Sequence, residues 1–133
     1  MTYGSKVADR SKDWFAQARR DLEHARASQV QGRHEWACFA AQQAAEKSVK
    51  ALHVKLGQEA SGHVIARLLI DLPMEPVEDL VEKAKVLDTH YLATRDAGAH
   101  PEGAPYEHYG RLQSEEAIRY AGEIVEFVRA YLA

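Results

Sequence analysis

Apolar side chains return every three or four positions along most of the chain, the spacing of one helix face. Over residues 5–29 the stripe is Trp14, Ala18, Leu22 and Ala25, and Gly32 follows as a stop. Over 33–56, Trp36, Ala40, Ala41, Ala44, Ala45, Val49, Leu52 and Leu56 cover a wide arc that ends at Gly57. So wide an apolar face predicts a central helix with several neighbours. A short helix is expected over 62–72, with Ile65, Leu68, Leu69 and Leu72 on one side and Pro73 ending it. A fourth opens at Pro76, with Glu78 and Asp79 suited to its first turn and Val77, Leu80, Ala84, Leu87 and Tyr91 as its stripe. The last is expected to start at Ser114, an N-cap before Glu115 and Glu116, and carries Ala117, Ala121, Ile124, Val128 and Tyr131. No segment alternates as a half-buried strand does. Helices joined by short turns predict an all-α fold, an antiparallel up-and-down bundle of four or five helices in a single domain over residues 1–133.

One stretch breaks this rhythm. Between the fourth and fifth helices stand Gly98, Pro101, Gly103, Pro105 and Gly110. A loop of this length in a compact domain is either functional or disordered. Tyr106 and Tyr109 argue against disorder.

Composition narrows the function classes. With 46% hydrophobic residues the 133-residue chain can build a core without metal or disulfide support. The single cysteine, Cys38, sits in an apolar run and reads as a buried hydrophobe. A lone thiol fits a reducing compartment, the N-terminus is polar, and no apolar run is long enough to cross a membrane, so the expected location is the cytoplasm. A net charge of −3 argues against sequence-independent duplex DNA binding. The seven histidines are scattered without metal-ligand spacing, so neither a metal nor another cofactor is expected.

The breaking stretch also carries the candidate chemistry. Arg95 and His100 form Arg-x4-His. A guanidinium grips phosphate oxygens and an imidazole moves protons near neutrality, a pair that can cleave RNA without metal. On an ideal helix, five positions separate side-chain directions by about 140°. Gly98 and Pro101, however, predict that the helix ends between the two residues, letting His100 fold back toward Arg95 or the pair be completed across a dimer axis. Taken alone, this spacing arises easily by chance. A second group lies on the long second helix, where Gln43, Lys47 and Lys50 share one face and Gln42 and Glu46 the neighbouring one. The simpler reading is an ordinary Glu46–Lys50 pair at i,i+4; the functional one is a polar seam that contacts a phosphate or fixes a helix partner. His24, His53 and His90 read as surface or core-edge residues, His63 as part of a helix start, and His108 as a lesser ligand candidate. Trp14 and Trp36 read as core or interface anchors.

The run HEWACFAAQQAAEKSVKAL, from His34 to Leu52, resembles the second helix of the HEPN family (higher eukaryotes and prokaryotes nucleotide-binding). Trp14 with Asp21-Leu22 and Ala25, Gly62-His63 before a leucine-rich helix, and the segments Leu87–Arg95 and Pro101–Tyr106 extend the likeness over about residues 9–130. The resemblance implies an antiparallel helical bundle that dimerises. Many members are metal-independent endoribonucleases built on Arg-x4–6-His, often toxins paired with a minimal nucleotidyltransferase antitoxin. On that reading His100 is the general acid or base, Arg95 the phosphate clamp and Asp96 the orienting residue, in a cleft shared by a homodimer that acts on RNA. A subgroup that reads Thr-Arg-Tyr-Pro here binds nucleotides without cutting. This chain keeps Thr94-Arg95 but continues Asp96-Ala97, so the alternative is a non-catalytic nucleotide-binding module partnering a minimal nucleotidyltransferase. Arg95, Lys47, Gln43, Tyr106 and Tyr109 would then line the cleft. The tyrosine that some toxins carry two residues after the histidine is replaced by Glu102.

Overall fold

A computed structural model describes residues 9–133, and the expected helical positions 5–8 lie outside them. Five α-helices follow one another: α1 Ser11–Val30, α2 His34–Lys55, α3 Ile65–Ile70, α4 Glu78–Asp88 and α5 Arg111–Leu132. Two short 3-10 helices, Ala97–Ala99 and Pro105–His108, lie between α4 and α5. No strand occurs among the described residues.

The first hairpin shows how sequence sets topology. Gly32 adopts φ +75°, a left-handed conformation that costs a glycine little. That lets the Arg33 amide reach back to the Ser28 carbonyl at 2.8 Å and closes α1 with a tight reversal. α2 therefore returns along α1, and it also packs against α3, α4 and α5. Its alanines make this possible: Ala37, Ala41, Ala44, Ala45 and Ala51 are fully buried, so neighbouring backbones approach closely. Leu22, Ile65, Leu87, Ile124 and Val128 from the other helices complete one continuous core. Cys38 lies inside it, where burial pushes the thiol pKa up to about 12 and keeps the sulfur protonated.

Several boundaries differ from the periodicity. α3 is only six residues long and starts at Ile65, because its first amides bind a side chain from another helix. Asp88, the last residue of α4, accepts from the Ile65 amide at 2.6 Å and the Ala66 amide at 3.2 Å. α5 starts before Ser114. Gly110 precedes the first turn, and its amide donates to the Gln113 side chain at 2.7 Å. Ser114 is wholly buried inside the helix, where its hydroxyl donates to the Arg111 carbonyl and accepts from Nδ1 of His34 at 2.8 Å. The two tryptophans are not core residues: Trp14 is 37% and Trp36 45% exposed. Trp14 lies at the outer edge of the α1–α2 seam with the Lys50 ammonium 5.9 Å from its ring.

Candidate functional site

α4 stops at Asp88, and the chain then runs through successive turns to Arg95. Thr94 stabilises this stretch by donating its hydroxyl to the His90 carbonyl at 2.8 Å. The turns bring Tyr91 and Arg95 over the exposed flank of α2. The Arg95 guanidinium lies 4.0 Å above the Phe39 ring and 5.1 Å from the Tyr91 ring. Its Nε and one terminal nitrogen donate to the Tyr91 carbonyl. Trp36 stands edge-on to Phe39, with ring centres 6.2 Å apart. Stacking on aromatic faces fixes the plane of a guanidinium while its outer donors stay free.

On the same Tyr91 ring lies His63, stacked 4.3 Å away at 16°. Its Nδ1 is 3.2 Å from each oxygen of Glu46. Glu46 is buried, and it also accepts from Lys50 Nζ at 3.0 Å and from Gln42 at 3.0 Å. The expected i,i+4 pair is therefore present, and it is buried rather than solvated. A desolvated carboxylate is tolerable only with such a full set of donors. Asp88 sits close enough to Glu46 for the two negative charges to interact, and its carboxyl lies above the usual range chiefly because of burial.

The remaining sequence candidates take up separate positions. Asp96 is extended and caps the first 3-10 helix, accepting from the Gly98 amide at 2.8 Å. His100 Nε2 donates to the Ala93 carbonyl at 2.7 Å, and the ring stacks parallel on His108 at 4.2 Å and edge-on to Tyr109 at 6.1 Å. Among the described residues, the side chains of Arg95, Asp96 and His100 share no hydrogen bond or ion pair. Arg95 and His100 are nevertheless anchored on carbonyls of one turn, those of Tyr91 and Ala93. Lys47 pairs with Asp21 of α1 at 2.7 Å, and Gln43 donates to Gln42 at 2.8 Å. Tyr106 is exposed. Tyr109 packs on the core, where burial raises its hydroxyl pKa.

Two histidines read from sequence as surface or core-edge are buried. His53 bonds Gln58 at 2.9 Å and the Leu68 carbonyl at 2.8 Å. Among the described residues, neither ring nitrogen of His90 has a partner, and burial alone holds its pKa down to about 4. Among the described residues no group of three or more His, Cys, Asp or Glu side chains is arranged to hold a metal ion, and no helix is long and apolar enough to cross a membrane.

Sequence reasoning passed over His63, Phe39 and Tyr91 as site residues. Glu46 offered the available signal: an acidic residue midway along a helix whose neighbouring positions are mostly alanine needs more than one donor.

The HEPN domain family matches residues 11–131. TT1696 from Thermus thermophilus is 51% identical in sequence and superimposes with a TM-score of 0.90, over 92% of this chain and 98% of that one. ST0689, described as an archaeal HEPN homologue, is 40% identical with a TM-score of 0.81, over 92% and 98% of the two chains. A HEPN domain protein from Thermotoga maritima is 35% identical with a TM-score of 0.73, over 90% and 97%. No curated protein matches. The family match runs from the start of α1 to the last turn of α5 and includes the turns that carry Arg95, and these solved relatives are covered almost end to end: the chain belongs to the HEPN domain family.

Proposed function

We propose that this HEPN domain is a nucleotide-binding module that works as a homodimer. One observation carries the reading: an exposed guanidinium, Arg95, lies flat on Phe39 and Tyr91. Two of its nitrogens bind a carbonyl, and the outer donors remain for phosphate oxygens. Aromatic rings beside a fixed cation suit a base stacked next to its own phosphate. Trp36 stands beside Phe39 and Leu92 follows Tyr91 in the chain, and both are exposed enough for a second copy to cover. Calorimetry with AMP tests the binding. Wild type binds, Arg95→Ala weakens binding by about tenfold, the worth of one charge-assisted contact, and His100→Ala leaves it unchanged. Absence of AMP binding by wild type, or wild-type affinity in Arg95→Ala, overturns the reading. Light scattering in solution should give twice the monomer mass.

A second reading rests on the tautomer of His100. Donation from Nε2 to the Ala93 carbonyl leaves Nδ1 with a free lone pair, as a general base requires. This is the metal-independent endoribonuclease reading, with Arg95 as clamp, RNA as substrate and a minimal nucleotidyltransferase as antitoxin. Cleavage of RNA in EDTA by wild type, lost in His100→Ala, would favour it over the first. Capture of a nucleotidyltransferase by the tagged protein would add its partner.

A further inference from the structure

We infer that His63, held by the buried Glu46 carboxylate, is a second phosphate ligand of the nucleotide site, beside Arg95 on the Tyr91 ring; this rests on the nucleotide-binding reading. The geometry differs from that of every other histidine near the site. His63 is half exposed, whereas its partner Glu46 is buried, so the ring is gripped from inside and open outside. Both carboxylate oxygens lie 3.2 Å from Nδ1, which makes Nδ1 the donor and turns Nε2 outward. Stacking on Tyr91 at 4.3 Å and 16° fixes the ring plane. The same Tyr91 ring lies 5.1 Å from the Arg95 guanidinium. One aromatic side chain therefore lies against both heads, and among the described residues neither the Arg95 guanidinium nor Nε2 of His63 meets a carboxylate.

Charged groups face the ring from both elements packed around it. On α2, Glu46 faces Nδ1 directly, and Lys50 balances part of the charge of Glu46. From the α4 side come Asp88, which is committed to the Ile65 and Ala66 amides, then Tyr91 and Arg95. A phosphate between Arg95 and His63 would accept from the outer guanidinium nitrogens and from Nε2–H. Nε2 takes that proton from solvent as the ligand binds. Glu46 is a positioning residue: it sets the tautomer and orientation of the ring without touching the ligand.

The test uses the full chain, AMP as the probe and adenosine as the arm without phosphate. In the free protein, imidazole 15N NMR should show His63 as the Nδ1–H tautomer, and AMP should convert it to the doubly protonated ring. Calorimetry should show AMP binding weakened by about tenfold in His63→Gln and several-fold in Glu46→Gln, with adenosine binding unchanged in His63→Gln. Because Glu46 is buried, its variant counts only if its circular dichroism matches wild type. His63→Gln, at an exposed ring, serves if the Glu46 variant fails to fold. Wild-type AMP affinity in His63→Gln, with Arg95→Ala still weakened, overturns this inference and leaves the nucleotide site standing. An Nε2–H tautomer in the free protein overturns it independently of any ligand. Loss of effect in Arg95→Ala sinks the parent reading instead.

Discussion

On one flank of the turns after α4, His63 is bonded through Nδ1 to a buried carboxylate and open at its outer edge. On the other, His100 and His108 stack on each other and donate to the Ala93 and Glu102 carbonyls, and His90 is buried with no partner among the described residues. The two groups use the same side chain to opposite ends. A histidine anchored on a main-chain carbonyl fixes a loop. A histidine anchored on a carboxylate has its tautomer set and its free nitrogen aimed. Proximity to Arg95 in sequence points to His100, whereas the pattern of hydrogen bonds points to His63.

The comparison can be broken most sharply at Glu46. Removing it in Glu46→Ala leaves Lys50, only 8% exposed, without its carboxylate. Denaturant unfolding should show a loss of about 4 kcal/mol, the cost of one uncompensated buried charge. The double variant Glu46→Met/Lys50→Met should recover most of it. A loss no larger than that of an exposed pair would mean that water reaches the cluster, and the contrast between the flanks would collapse.

His90 tests the other flank through pH. Its folded pKa, about 4, lies below the ordinary 6.5 because burial disfavours the charged ring. Above about pH 6.5 the ring is neutral in both folded and unfolded chains, so this stability is fully present. As pH falls toward 4 the unfolded chain takes up the proton first, and stability drops by about 1.4 kcal/mol per pH unit, about 3 kcal/mol in all. His90→Phe keeps an edge-on contact with Tyr109 and removes the titration. Thermal unfolding of both proteins over this range should show a shallower acid loss in the variant; parallel curves would mean that His90 is already solvated when folded.

The smallest effect is expected where the two flanks are tied together. Asp88→Ala removes the acceptor for two amides at the start of α3 and should cost about 1 kcal/mol in thermal unfolding. His63, two residues before that helix, should then lose part of its stacking on Tyr91, readable as a change in its imidazole 15N shifts. An unchanged ring signal would show that Glu46 alone holds it.

The bundle was legible because helix periodicity records burial directly: the wide arc from Trp36 to Leu56 predicted a central α2, and α2 is the helix the others pack on. Errors cluster where a distant partner overrides local chemistry. Ser114 followed by two glutamates has the look of a cap, but its hydroxyl is matched by His34, eighty positions away. Helix α3 was expected to start at Gly62, yet its start is set by a carboxylate from α4. Arg95 stood out by its type and Asp96 by its neighbours. What their side chains do is decided by Tyr91, Phe39 and a turn that no spacing rule describes. His63 was hidden for the same reason, since its partner lies seventeen positions back on another element.

The borrowed cap on α3 also bears on how the molecule opens. A helix of six residues does not hold by itself in water, and the first two amides of this one are protected by α4 rather than by its own first turn. Hydrogen exchange at Ile65 and Ala66 therefore reports on the seating of α4. The pair forms one cooperative unit whose fraying would be seen first at the residues beside His63.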